Sequence, residues 1–278
     1  MPAMTPGVAS ALSPLVRRIV APNPGLMTGP GTNTYLVGID EVAVIDPGPD
    51  DAAHVEAIVG ASMRERVRWV LLTHTHPDHW PAAERIRAST GAQVLGHGKV
   101  PKADGGVAID RRLADGDTID GTEFRLEVLH TPGHAPNHVC FLLEEERALF
   151  TGDHVLQGTT TVVNPARGGD MVQYLASLER LRRLRRLARI LPGHGEVVDE
   201  PKALLDEYLQ HRRLRERQIL KALQHGPARI PELVARIYAD TPEGLLEMAG
   251  RQVHAHLRKL KTEGKVTGTG ERSAWKLA

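Results

Sequence analysis

With one cysteine in 278 residues, Cys140, the chain can form no intrachain disulfide. That cysteine lies in the apolar run His138-Val139-Cys140-Phe141-Leu142-Leu143, which reads as a strand with a buried, inert thiol rather than a nucleophile. Aromatic residues make up only 4% of the chain, few for a surface that stacks the bases of a single strand. No apolar segment approaches the roughly 20 residues needed to cross a bilayer, so no membrane partner is expected. Residues Met1 to Pro14 lack the basic and apolar regions of a secretory signal, and a cytoplasmic location is the default expectation. There is no glycine-rich nucleotide fingerprint ahead of a helix and no arrangement suggesting a Ser-His-Asp triad.

What is present is ordinary for a globular protein: 41% hydrophobic and 25% charged residues, enough for a sizeable core, on a length that suits one large domain and a small one. The net charge of +1 is unevenly spread. Residues 180–278 carry 21 Lys/Arg against 12 Asp/Glu, or +9, and residues 1–179 carry 14 against 22, or −8. Such asymmetry fits an anionic substrate or nucleic acid meeting the C-terminal part, and equally fits solvated helix faces rich in arginine.

The chemistry is concentrated in Thr73-His74-Thr75-His76-Pro77-Asp78-His79, directly after the apolar run Trp69-Val70-Leu71-Leu72. The run reads as a buried strand, which puts His74, His76, Asp78 and His79 on the loop at its end. A loop can turn several imidazoles and a carboxylate inward at once, whereas a helix offers only every third or fourth residue. Imidazole nitrogens and carboxylate oxygens are the donors that hold a zinc-type cation at roughly 2.0–2.2 Å. Two further Gly/Pro turns deliver one imidazole each, His134 in Thr131-Pro132-Gly133-His134 and His194 in Leu191-Pro192-Gly193-His194-Gly195. Between them Ala148-Leu149-Phe150-Thr151-Gly152-Asp153 ends in a carboxylate.

Through His74-x-His76-x-Asp78-His79, then His134, Asp153 and His194, the sequence resembles the metallo-beta-lactamase superfamily, over residues 32 to 195. The resemblance implies an α/β fold, a four-layer αββα sandwich with a binuclear metal site at one edge of two sheets. His74, His76 and His134 would hold one metal, Asp78, His79 and His194 the other, and Asp153 would bridge them. In that family the polar residues of Gly31-Thr32-Asn33-Thr34 line the mouth of the site, so Asn33 is a candidate substrate contact, with a turn-stabilising Asn as the competing reading. The family commonly has small residues after the Asp-His pair; here Trp80-Pro81-Ala82 stand in their place, which alters the pocket wall.

Asp51 and Asp170 are expected to cap helices, and a further helix is expected from Pro81 to Ala88. Gln93–Leu95, Val107–Ile109 and Phe124–Leu129 read as strands. His97 sits on a glycine-flanked turn, His138 could orient a metal-bound imidazole, and His154 should point away from Asp153 along an extended segment. Beyond Pro201 the pattern becomes helical, over 202–224, 230–238 and 244–263, before a wing in which Val266-Thr267 pairs with Ala274-Trp275-Lys276. This resembles the C-terminal winged helix of the beta-lactamase-like protein 2 group within the superfamily. The domains expected are a catalytic one over 1–200 and a winged-helix-like one over 201–278. In free winged helices the third helix can enter the major groove, and Arg251, His254, Arg258, Lys259 and Lys261 lie on that helix here.

Two divalent ions can share a hydroxide, polarise a scissile carbonyl or phosphoryl oxygen and stabilise the leaving group, with Asp78 as the expected catalytic residue. Zinc suits the imidazole and carboxylate donors, and manganese or iron also fit. True beta-lactamases of the commonest type place a cysteine near the second metal, where this chain offers Asp153. The expected activity is therefore metal-dependent hydrolysis, of a small acyl or thioester substrate in the manner of glyoxalase II or of single-stranded RNA, with beta-lactam hydrolysis as an alternative. A metal-sensing DNA-binding regulator is the non-enzymatic alternative, and a homodimer is the expected assembly if the chain self-associates.

Overall fold

A computed structural model describes residues 4–278. By internal contacts these fall into two compact units: one of residues up to 131 with 137–160 and 184–202, the other of 132–136, 161–183 and 203–278.

The first unit holds two sheets. In the larger, β1 (Ser10–Ala11), β2 (Val16–Val20), β3 (Asn33–Val37), β4 (Glu41–Ile45), β5 (Arg66–Leu71), β6 (Gln93–His97) and β7 (Arg111–Leu113) follow one another in sequence order. The pairs up to β3/β4 are antiparallel and those from β4/β5 onward parallel. The smaller runs β12-β11-β10-β9-β8, from Arg189–Pro192, Ala148–Gly152, Val139–Leu143, Arg125–His130 and Thr118–Asp120. A strand with both faces covered reads as a near-continuous apolar run because alternate side chains serve different layers. Tyr35, Val37, Ala43, Ile45, Trp69 and Leu71 pack with Leu126, Val128, Phe141 and Phe150 of the smaller sheet. Their alternates Leu36, Val42, Val44 and Val70 pack with Val55 and Ile58 of α1 (Ala52–Ala61) and Ala83 and Ile86 of α2 (Ala83–Thr90). Asp51 caps α1 as expected, accepting from His54 N at 2.8 Å.

Four boundaries differ from those read in the sequence. Helix α2 starts at Ala83, because Pro81 and Ala82 form the turn ahead of it. Val107–Ile109 is not a strand; the chain first pins Asp110 to Val94, N to O at 2.9 Å and Oδ2 to N at 2.8 Å, and pairing starts at Arg111 opposite Leu95. The short strand β8 was not foreseen, and the wing pairs Val266 with Leu277 and Thr267 with Lys276. Trp275 instead bridges to Ala228 and lies 2% exposed among the apolar residues it stabilises.

The second unit contains α3 (Met171–Arg182), α4 (Pro201–Leu223), α5 (Ile230–Ile237), α6 (Leu246–Thr262) and the wing β13 (Val266–Thr267) and β14 (Lys276–Leu277). Asp170 caps α3 through Gln173 N at 2.9 Å. Ile219, Leu223, Ile230, Leu233, Val253, Leu257, Val266 and Trp275 form its core. Arg212 is fully buried within the unit, donating to Gln252 Oε1 at 3.1 Å and to the Thr161 carbonyl, and lying 5.1 Å over the Tyr174 ring. Among the described residues no helix is long and apolar enough to cross a membrane.

Candidate metal centre

Parallel pairing sets neighbouring strand ends side by side, and the chain uses this twice. Strands β4 and β5 run parallel with Ile45 opposite Leu71, so Asp46 and the loop bearing His74 to His79 leave the sheet together. Strands β11 and β12 run parallel with Gly152 opposite Pro192, so Asp153 and His194 emerge as neighbours. The start of β3 then closes on the end of β12: Asn33 N donates to Gly193 O at 2.8 Å, and Thr32 bridges to His194. Close approach here requires glycine, since a Cβ on Gly193 would sit 2.8 Å from His79 Cε1 and 3.0 Å from Asp153 Oδ1.

The result is a convergence of Asp78, His79, Asp153 and His194. His194 Nε2 lies 3.2 Å from both Asp78 Oδ2 and Asp153 Oδ1, and His79 Nε2 lies 3.5 and 3.4 Å from the same two oxygens. A tetrahedral ion roughly 2.0–2.2 Å from each donor has donor–donor edges of roughly 3.3–3.6 Å, so these four atoms fit one cation. His79 Nε2 is buried without a well-formed hydrogen bond, as a nitrogen aimed at a cation would be. Beside this group, His74 Nε2 and His76 Nδ1 are 3.0 Å apart, and one donor atom from each lies within 4.8 Å of an Asp153 oxygen, so Asp153 belongs to both clusters.

Each imidazole is turned by the atom behind it. His79 Nδ1 lies 2.9 Å from Asp46 Oδ2 and His194 Nδ1 3.2 Å from the Gly31 carbonyl. A carboxylate or carbonyl can only accept, so Nδ1 carries the proton and Nε2 faces the cluster. Thr73 Oγ1 spends its own proton on Asp46 Oδ2 at 2.7 Å and accepts from His74 Nδ1 at 3.0 Å, with the same outcome for His74. His134 lies in the 132–136 segment of the second unit, where its Nδ1 is 2.7 Å from the Val162 carbonyl and so carries the proton.

Asp46 is the functional residue that sequence reading missed. Besides His79 and the Thr73 hydroxyl it accepts from Thr73 N at 2.8 Å, and it adopts φ +49° at the strand end. The only signal was its place ahead of Pro47-Gly48 at the end of an apolar strand. Asn33, the expected substrate contact, is fully buried and gives both amide protons to the His194 loop, at 2.9 Å to Pro192 O and 2.9 Å to Gly195 O. It positions a ligand loop with those protons. His138 lies with its ring 5.0 Å from that of His74, its Nδ1 3.0 Å from Thr131 Oγ1. His154 is fully buried 5.5 Å from His138, because the segment turns after Asp153 instead of staying extended. His97 ends β6 stacked on His130 at 4.3 Å. Trp80 packs, partly buried, against the helix–sheet core, and Cys140 is buried with Sγ 3.3 Å from Thr131 Oγ1.

The electrostatics favour a cation. Burial pushes the Asp78 carboxyl up, yet the His79 charge and a hydrogen bond from His194 outweigh it and bring it down to about 2. Burial pushes both imidazoles down. For His79 the charges of Asp78, Asp153 and Asp46 reverse this and hold it well above the usual range; for His194 Asp153 and Asp78 do the same. Protons occupy those nitrogens when no metal does, and must leave for a metal to bind. Zinc affinity should therefore rise as pH climbs through and beyond the ordinary imidazole range, and calorimetry near pH 7 in buffers of different ionisation enthalpy should show protons released on uptake. Uptake without proton release would remove His79 and His194 from the ligand set.

Residues 27–194 match the model of the metallo-beta-lactamase superfamily, and residues 230–275 match that of the beta-lactamase associated winged helix domain. The chain is 35% identical over 266 residues to a beta-lactamase-like protein 2 homolog of Caenorhabditis elegans, covering 92% of this chain and 87% of that one. It is 35% identical over 255 residues to an atrochrysone carboxyl ACP thioesterase of Aspergillus fumigatus, covering 83% and 76%. Among solved structures, a metallo-beta-lactamase family protein from Thermus thermophilus superposes with a TM-score of 0.80 at 26% identity, over 96% of this chain and 100% of that one. On the match over 27–194, and on a whole-length likeness to relatives a third identical, the chain belongs to the metallo-beta-lactamase superfamily.

Proposed function

We propose that the protein is a metal-dependent hydrolase of thioester or ester acyl bonds. The observation that carries this is the convergence of His79 and His194 Nε2 on Asp78 Oδ2 and Asp153 Oδ1 at 3.2–3.5 Å, with no thiolate among the donors. In this reading His74, His76 and His134 hold one divalent ion, Asp78, His79 and His194 a second, and Asp153 serves both. Zinc is the preferred ion and manganese or iron the alternatives. When bound, such a pair lowers the pKa of water and polarises the scissile carbonyl. Asp78, 29% exposed against 0% for His79 and 5% for His194, is the donor nearest solvent. Ionised throughout the neutral range, it would serve as a metal donor through Oδ2 and accept a hydrogen bond from the attacking water at its other oxygen. Asp46, Thr73 and Gly31 hold the imidazole rings in register while this happens.

The thioesterase among its relatives favours acyl over phosphodiester cleavage. On α6, Lys259 is taken up by Glu216 at 2.9 Å and Glu263 at 2.6 Å, Arg251 by Glu247 and Lys261 by the Gly268 carbonyl. Those cations have partners within the unit, which weakens the duplex-reading alternative. Protein stripped by chelator and reloaded with zinc should cleave a glutathione thioester, lose that activity on renewed chelation and recover it with metal. A lactone, a beta-lactam and a labelled single-stranded RNA complete the panel. Cleavage of RNA alone would replace the acyl reading, and failure to take up metal would overturn the enzymatic one.

A further inference from the structure

We propose that Arg212 and Gln252, buried on α4 and α6, are positioning residues for His134, so that the helices of the second unit set the affinity for the metal that His134 holds; this rests on the reading of His134 as a metal donor above. The turn carrying His134 belongs to the same unit as both helices. It is gripped from one side by α3. Ser177 Oγ donates to Pro132 O at 2.9 Å, Asp170 N donates to Gly133 O at 2.8 Å, and a Cβ on Gly133 would sit 2.3 Å from Tyr174 N. From the other side the Val162 carbonyl takes His134 Nδ1 at 2.7 Å. An imidazole is aimed by the acceptor behind it, so the direction of that carbonyl decides the direction of the ring.

One residue earlier the chain is clamped. The Thr161 carbonyl, on a residue 1% exposed, accepts from Arg212 Nη2 and from Gln252 Nε2 at 2.7 Å, which uses both of its lone pairs. Arg212 Nη1 donates to Gln252 Oε1 at 3.1 Å and closes a triangle of buried groups. Because a peptide is planar, holding that carbonyl fixes the Thr161–Val162 plane, and only the two torsions of Val162 separate it from the carbonyl that takes His134. The same guanidinium lies 5.1 Å over the ring of Tyr174, whose backbone abuts Gly133, so Arg212 braces both grips on the turn. Arg212 and Gln252 stand 51 and 91 positions beyond Thr161, and the clamp therefore exists only once α4 and α6 have packed. Both partners of the guanidinium are neutral oxygens, and an apolar side chain of similar volume would fill the site without the cost of burying a charge. Shape alone does not call for arginine here; a donor to Thr161 does.

The test compares Gln252→Leu and Arg212→Met, which remove the donors, with Leu233→Ala, a truncation in the apolar core of the same unit. Chelator competition follows zinc uptake, and the step that His134→Gln abolishes is the one that depends on His134. In Gln252→Leu and Arg212→Met that step should weaken by about tenfold, the lower end of what an orienting partner is worth because the contact acts through a peptide, while any other step holds. Leu233→Ala should lower the melting temperature at least as much as Gln252→Leu and leave the zinc steps in place. Unchanged affinity in Gln252→Leu overturns the assignment, as does equal weakening of every step or the same loss in Leu233→Ala. If Arg212→Met does not fold, Gln252→Leu decides alone. In the metal-free protein, nitrogen-15 shifts of the His134 ring, assigned against His134→Gln, should show the Nδ1-protonated tautomer, and a mixture of tautomers in Gln252→Leu. If the unaltered protein takes up no zinc, the reading of His134 as a donor falls by itself. The ring shifts then decide the positioning, with the mixture sustaining it and the parent tautomer retained in Gln252→Leu overturning it.

Discussion

Replacing Asp78 by Ala should lower kcat/KM by about a thousandfold or more, beyond the roughly ten- to hundredfold that loss of an orienting partner costs, with little change in folding. Asp78 Oδ2 sits 3.2 Å from His194 Nε2 and 3.5 Å from His79 Nε2, so the substitution removes one corner of the four-donor cluster. Its side chain is 29% exposed on a loop, and its loss removes the repulsion from Asp153 together with the larger attraction to His79 and His194. The melting temperature of the chelated variant should therefore fall by only a few degrees, as a single substitution of this kind costs about 1 kcal/mol. Elemental analysis should find less metal per chain. Undiminished turnover in the purified variant would take Asp78 out of the reaction.

Asp46→Ala should cost more in stability and less directly in chemistry. One carboxylate accepts from Thr73 N, Thr73 Oγ1 and His79 Nδ1, all buried, and its removal strands them together. Unsatisfied buried donors and a broken buried polar network cost on the order of 3 kcal/mol. His79 and, through Thr73, His74 would also lose the contacts that select their tautomers, so zinc affinity should drop by about ten- to a hundredfold. Urea unfolding of the metal-free protein measures the first effect and chelator competition the second. Asp46→Asn separates them: it preserves the volume while turning an acceptor into a donor toward His79. If this variant keeps full zinc affinity, Asp46 has a purely structural role.

The His/Asp cluster was legible because imidazoles and carboxylates crowd onto Gly/Pro turns that follow apolar runs, a pattern that survives without knowing which strands pair. Asp46 was not legible for the complementary reason. It stands 28 positions before His74 and becomes its neighbour only because β4 and β5 lie parallel, a long-range fact with no local signature. The second task of Asn33 was not legible, since nothing local shows that its amide protons would be claimed by the chain returning at Pro192 and Gly195. The helical face of Val253, Leu257 and Leu260 was plain from its period, whereas the wing's register depended on Trp275 turning inward to meet Ala228. The shift from Val107–Ile109 to Arg111–Leu113 has the same origin, a side-chain clamp at Asp110 overriding local β-propensity.

The unit that contains the winged helix is threaded from three separate stretches of chain, 132–136, 161–183 and 203–278. No single cleavage of the polypeptide can release it whole. A chain ended at Lys202 would keep Tyr174 and the α3 face but lose the Arg212 guanidinium and the α6 surface they rest on. The tail and α3 thus share one packing surface, and a tail cut free at residue 203 would leave without the α3 face that packs on it.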